Sequence, residues 1–183
     1  MNTFELILTD EEKQFCKDLV VWVIRDHLGL ASGPKPALES RTLSEELGAF
    51  VTLKREGRLR GCIGNIVGKG PLAATIERMA GAAAFEDPRF SPLTAGELDD
   101  LDIEVSVMGP LSPCPDPELI EVGRHGLYIR KSVHSGLLLP QVATEWGWDR
   151  ETFLDQTCVK AGLPKGTWRK PKTEIWWFEA VIF

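Results

Sequence analysis

The stretch "AFVTLKREGRLRGCIGNIV", residues 49–67, restricts this chain more than any other. Two β-rich arms meet at Glu56-Gly57, a pair that turns a backbone onto itself, so an antiparallel hairpin is predicted. Alternation along the second arm sets Leu59, Gly61 and Ile63 on one side and Arg60, Cys62 and Gly64 on the other. Glycine inside a strand weakens it, and commonly marks a bulge or the close approach of a ligand or a second backbone. Arg60 lies two residues from Cys62, roughly 7 Å along the same face. A guanidinium bending toward the thiol would favour the thiolate, the form that attacks electrophiles. The plain alternative is that Cys62 is a small buried hydrophobe and that the glycines make room for a large neighbour. Both readings stay open on the residues alone.

Around this hairpin, helical and strand patterns intermingle. "TDEEKQFCKDLVVWVIRDHLG" opens with the capping pair Thr9 and Glu12 and carries Phe15, Leu19, Trp22 and Val23 on one stripe before Gly29 ends the helix. "LASGPKPALES" reads as an exposed connector. "GPLAATIERMAGAAAF" predicts an alanine-rich helix entered at Pro71 and stopped by Asp87-Pro88. Thr94 and Glu97 have capping-box spacing for a short helix, and "LDIEVSVMG" alternates with Ile103, Val105 and Val107 toward a core. "GLYIRKS" and "GLLLP" predict a second hairpin around Val133-His134-Ser135. "WDRETFLDQTCVKAGLP" predicts a helix capped by Asp149, and "TEIWWFEAVIF" a strand covered on both faces. Strands joined mostly by hairpins, with helices between, predict an α+β fold: an antiparallel sheet flanked by helices, with no clean internal boundary.

Composition narrows the function classes. With 43% hydrophobic and 26% charged residues over 183 positions, a real core is affordable. A net charge of −6 and a pI near 5.2 argue against strong non-specific nucleic-acid binding, while permitting a local basic patch. No apolar run approaches the ~20 residues that span a bilayer, and the start of the chain turns acidic too early for a signal peptide. A cytoplasmic protein with no membrane partner is expected. Cys16, Cys62, Cys114 and Cys158 form no C-x-x-C pair, and His27, His125 and His134 no H-x-x-x-H arrangement. Reduced thiols, no metal and no cofactor are therefore expected.

Other residues could carry chemistry. Asp87 and Arg89 share a polar turn in "EDPRF", where the guanidinium can take a carboxylate or phosphate, or simply close an internal ion pair. Glu104, on the polar side of its strand, is a candidate general base or a partner for Arg60 or Arg89. His125 could carry a proton near neutral pH, and Gln141 could orient a ligand or satisfy backbone groups. "KGTWRKPK" gathers Lys165, Arg169, Lys170 and Lys172 around Trp168, the composition of a phosphate or nucleic-acid contact, or of a solvated loop. "NIVGKGPL" lacks P-loop spacing, and no G-x-S-x-G elbow occurs.

"FVTL", "LRGCIGN", "AAAFEDPRF", "EVSV", "HGL", "GLLLPQVA" and "KAGLP" occur in this order over essentially the whole chain. Together they resemble the AMMECR-one family, named after a human Alport-syndrome chromosomal region, with LRGCIG as its most specific motif. The resemblance implies two closely packed lobes around an antiparallel sheet, forming one AMMECR-type domain over residues 1–183 with LRGCIG near a cleft between the lobes. It carries over Arg60, Gly61, Cys62, Ile63 and Gly64, then Asp87, Arg89 and Phe90, then Glu104, His125, Gly126, Pro140 and Gln141. It also implies association with a Memo-like protein and a radical-SAM protein, as component A of the AmmeMemoRadiSam system. Two functions follow as expectations. In the first, Cys62, Glu104 and His125 are catalytic in an enzyme or enzyme subunit for nucleotide or RNA-base modification, and Arg60, Gly61, Gly64, Asp87, Arg89 and Gln141 hold a small-molecule or nucleotide ligand. In the second, the same groups serve a non-catalytic adaptor.

Overall fold

The computed structural model describes residues 6–31 and 33–183. The chain divides into two compact units: Leu6–Met108 with Val181–Phe183, and Gly109–Ala180.

In the first unit, α1 (Asp10–His27) starts at the expected capping box, the Thr9 hydroxyl accepting from the Glu12 N–H and the Glu12 carboxylate from the Thr9 N–H. Its buried stripe is Cys16, Leu19, Val20 and Ile24, rotated from the expected one. Trp22 sits at the rim because its indole N–H needs a partner, which it finds in the Gly33 carbonyl at 3.1 Å. The connector contains a short helix, α2 (Arg41–Ser44), capped by Ser40, whose hydroxyl also donates to the buried Glu12 carboxylate. Next come β1 (Gly48–Arg55) and β2 (Arg58–Asn65), joined by Glu56 and Gly57 at φ 51° and 72°. Two successive left-handed residues match the twist of a hairpin. β3 (Leu101–Met108) pairs antiparallel with the other edge of β1, leaving β2 outermost in the order β2-β1-β3. Val105 exchanges both backbone hydrogen bonds with Phe183, at 2.9 and 3.1 Å.

Ala49, Val51, Leu53, Val105 and Val107 turn one sheet face into a core with α1 and the alanine-rich α3 (Leu72–Phe85). Small side chains let α3 approach so closely that a Cβ at Gly61 would overlap the Ala83 carbonyl oxygen. The close backbone foreseen at that glycine is therefore helix α3. At Gly64 a Cβ would overlap the ring of Phe50, its cross-strand partner.

The second unit holds β4 (Ser112–Pro113), β5 (His125–Lys131), β6 (His134–Leu138) and most of β7 (Glu174–Ile182). Here β7 lies between β4 and β5, and β6 is beyond β5, all antiparallel. The second hairpin turns at Ser132-Val133, with Ser132 at φ 55°, earlier than its composition implied. "LPQVATE" continues from strand into helix α4 (Pro140–Glu145), with Pro140 in the first turn, where its missing N–H costs nothing. α5 (Arg150–Lys160), capped by Asp149, buries Phe153, Leu154 and Cys158 against Leu127 and Ile129. β7 is half-buried along most of its length, with Phe178 buried and lying over Gly126, so it is less covered than its apolar sequence implied. The class is α+β with antiparallel sheets and flanking helices, and no described helix is long and apolar enough to cross a membrane.

Candidate functional site

The geometry around Cys62 begins with a bulge. Near the turn Lys54 faces Leu59, but Leu53 faces Gly61, so Arg60 is an extra residue in β2. A bulge re-aims its side chain. Arg60 makes a two-pronged contact with Glu97, at 2.7 and 3.2 Å, and its side chain is only 13% exposed. The guanidinium expected to lean on the thiol is thus engaged by a carboxylate in the 3-10 turn Ala95–Asp100. Arg60 and the N–H and hydroxyl of Thr94 draw the Glu97 carboxyl down to about 2.

Beyond the bulge, both backbone groups of Cys62 point away from β1. Its N–H donates to Asp87 Oδ2 at 2.9 Å, and its carbonyl accepts from the Arg89 guanidinium at 3.0 Å. Asp87 Oδ1 takes the Arg89 N–H and Nε, at 3.1 and 2.9 Å, and Oδ2 takes a further guanidinium nitrogen at 2.7 Å. The Asp87 side chain is 2% exposed. Arg89 above all, and then the backbone N–H groups, hold its carboxyl well below the ordinary carboxylate range despite burial. This clamp occupies the hydrogen-bonding groups through which an edge strand would recruit another strand.

Outward-pointing backbone groups also define the side-chain geometry. Cys62 and Thr52 form a non-hydrogen-bonded antiparallel pair, the kind that brings opposed side chains closest. The Thr52 hydroxyl donates to Cys62 Sγ at 3.2 Å. Across Thr52 on β3 stands Glu104, ion-paired with Lys54 at 2.8 Å. Two strand spacings, about 10 Å, separate Glu104 from Cys62, with Thr52 between them. The face carrying sulfur, hydroxyl and this ion pair is half-buried and opposite the core. Phe90 lies within cation–π reach of both arginines, 5.9 Å from Arg60 and 5.6 Å from Arg89.

Arg60, Cys62, Asp87 and Arg89 are therefore brought together, with Glu104 one strand beyond Thr52. His125 and Gln141 belong to the second unit. His125 is buried, its Nδ1 accepts the Glu121 N–H at 3.0 Å, and its ring packs on Trp177 with centroids 4.5 Å apart. Burial, reinforced by Arg124, lowers its proton affinity, so the neutral ring is favoured. The Gln141 amide oxygen is buried without a hydrogen-bond partner. Among the described residues no three His, Cys, Asp or Glu side chains gather to hold a metal.

Thr52, Lys54 and Glu97 were absent from the sequence-derived candidates. Glu97 had a legible signal, the capping-box spacing from Thr94, but the same carboxylate also takes Arg60. Thr52 had none, because an unbulged hairpin would set it opposite Gly61.

A family model described as AMMECR1 matches residues 18–183. Protein TK0174 of Thermococcus kodakarensis is 43% identical over 187 residues, spanning 96% of this chain and 91% of that one. A protein of Methanothermobacter thermautotrophicus is 50% identical over 142 residues, 74% of each chain. The crystal structure of uncharacterized protein PH0010 from Pyrococcus horikoshii matches this fold with a TM-score of 0.83 at 40% identity, covering 96% of this chain and 92% of that one.

Proposed function

The chain belongs to the AMMECR1 family, and on that premise we propose that it is an enzyme or enzyme subunit whose reacting group is the Cys62 thiol. The observation that carries this reading is the clamp on Cys62: both backbone groups are fixed by Asp87 and Arg89 while the half-buried sulfur accepts a hydroxyl hydrogen bond. A cysteine serving only as core filler needs no such fixing, whereas a nucleophile must be held to within a fraction of an ångström.

In the reaction the Cys62 thiol adds across a polarised C=C or C=N bond. The sulfur bonds the electrophilic carbon, the π pair moves to the far atom of that bond and takes up the thiol's proton there, and no group leaves. The Thr52 hydroxyl, which donates to the sulfur, steadies the developing thiolate, and Glu104 is the carboxylate on the same face that can carry the proton. The charges of Arg60 and Arg89 are matched by Glu97 and Asp87. They therefore position the motif rather than draw in a polyanion, and Phe90 offers a flat apolar surface beside them. A neutral planar electrophile, such as a nucleobase, fits this chemistry better than a free phosphate. Memo-like and radical-SAM partners belong to the same proposal, as the proteins that supply or consume the modified compound.

Alkylation with iodoacetamide, resolved by peptide mass spectrometry, tests the reading. Cys62 is expected to react first in the folded protein. Cys16, whose thiol burial pushes up to about 12, and Cys158, also raised by burial, should stay silent until unfolding. A Cys62 that is inert until the chain unfolds overturns the enzyme reading and leaves the adaptor.

A further inference from the structure

The loop after α5 has no role in the Cys62 chemistry. Between residues 160 and 172 there are five cations, Lys160, Lys165, Arg169, Lys170 and Lys172, and no carboxylate, in a chain whose net charge is −6. All five are exposed. The fold adds Lys131, whose ammonium donates to the Pro171 carbonyl at 3.1 Å and to the Thr173 hydroxyl at 3.2 Å.

This segment is built on a fixed support. The Trp168 indole N–H and the Gly166 N–H both donate to Asp155 Oδ1, at 2.8 and 2.7 Å, tying the loop to α5. Arg169 lies over the Trp168 ring, 3.8 Å from its centroid, and reaches Glu151 at 2.7 Å. Its side chain nonetheless stays 48% exposed. With one face of the guanidinium on the indole and one nitrogen on a carboxylate, the opposite flat face is not used by either contact.

That geometry separates the anionic partners a basic patch could take. An acidic peptide would use the fork of an arginine for its carboxylates, and one nitrogen of this fork is already on Glu151. A flat outer face suits a stacked nucleobase, while exposed lysines around it suit phosphate oxygens. We propose that the Trp168–Arg169 platform and its surrounding lysines form a docking site for single-stranded RNA, with a base stacking on Arg169 and the lysines following the backbone. The site is small, and the acidic net charge keeps its affinity modest. With some four phosphates neutralised, the log–log salt slope should be about −3.

The proposal extends the nucleobase reading of Cys62 by naming a carrier for the base, and it is tested apart from that chemistry. Fluorescence anisotropy of a labelled oligouridylate is measured at low and rising salt against the full chain and its variants. Binding is expected for the wild type and for Cys62→Ser alike, with at least a tenfold loss for the triple exchange Lys165→Glu, Lys170→Glu, Lys172→Glu. Arg169→Lys keeps the charge but removes the flat cation, and should weaken binding several-fold. No binding at low salt, a triple variant that binds like the wild type, or equal competition by polyglutamate each overturns the proposal, the last in favour of an acidic protein partner. Equal competition by inorganic tripolyphosphate also overturns it, in favour of a free phosphate compound. If oligouridylate binds as expected while Cys62 proves inert to alkylation, the docking site stands and the enzyme reading falls.

Discussion

The two hairpins of this protein share one packing device and differ in what surrounds it. In the first, Gly61 of β2 lies against the backbone of α3 at Ala83; in the second, Gly136 of β6 lies against the backbone at the C-terminal end of α5, at Lys160 and its cap Ala161. Each sheet also has a phenylalanine ring over a cross-strand glycine, Phe50 over Gly64 and Phe178 over Gly126. The second hairpin runs in regular register from Lys131 opposite His134 to Leu127 opposite Leu138. The first has a bulge at Arg60, a clamp from Asp87 and Arg89, and a sulfur held by Thr52. The glycines of LRGCIG thus follow from packing that recurs elsewhere in the chain. The bulge, clamp and thiol are what set the first hairpin apart.

The shared device gives the largest expected effect. Gly61→Ala and Gly136→Ala should each lose about 3 kcal/mol in urea unfolding, because the added methyl meets helix backbone that cannot yield locally. A neutral Gly61→Ala would break the comparison and reopen a ligand role for that glycine. Next comes the clamp, which has no counterpart at Gly136. Asp87→Asn should lower Tm by roughly 5 °C and speed hydrogen exchange at the Cys62 amide, while amides in β6 keep their rates. Unchanged exchange at Cys62 would mean that the carboxylate does not fix the strand.

The hairpins should also part company in acid. The carboxyls of Asp87 and Glu97 are depressed by their arginines and by donated hydrogen bonds. Their stabilisation is therefore complete above the ordinary carboxyl values of 3.8 and 4.5 and is lost as pH falls through the folded values, near 2 for Glu97. His125 in the second unit is lowered from 6.5, first by burial and then by Arg124. Its neutral ring stabilises the fold fully above that pH, and the benefit fades as pH falls below it. Urea midpoints against pH should show an early loss below 6.5 that His125→Gln removes and a late one that Glu97→Gln reduces, the remainder belonging to Asp87. An early loss that persists in His125→Gln would assign it elsewhere. The smallest effect belongs to Thr52→Val, which should slow Cys62 alkylation a few-fold while Thr52→Ser preserves the rate. Equal rates in both variants would show that the hydroxyl does not position the sulfur.

Local signals in the sequence account for the elements that were foreseen. The Thr9 and Asp149 caps, the Glu56-Gly57 turn and the alternation through Ile103, Val105 and Val107 each act within a few residues, and each reappears in the structure. What stayed hidden depended on one residue of register or on distant partners. The bulge at Arg60 shifts every later pair by one and so brings Thr52 to Cys62. The same shift sends Arg60 to Glu97, a partner 37 positions away. Asp87 and Arg89 were legible as a polar turn able to close an ion pair, but the target of that pair, the backbone of Cys62, was not. α4 was missed because the proline of "GLLLP" reads as the end of a strand arm, with no helical stripe in the short stretch after it, whereas that proline opens the helix.

The reciprocal bonds between Val105 and Phe183 have a consequence for how the chain is made. The first unit takes in Val181–Phe183, so β3 must wait for its outer partner until roughly eighty further residues have been synthesised, a separation of the kind that slows folding. A nascent chain released from the ribosomal tunnel only as far as Met108 would therefore show an unfinished sheet edge to its surroundings. Chaperones that hold extended segments would find this protein during synthesis, and a stalled ribosome would leave it open to aggregation along β3.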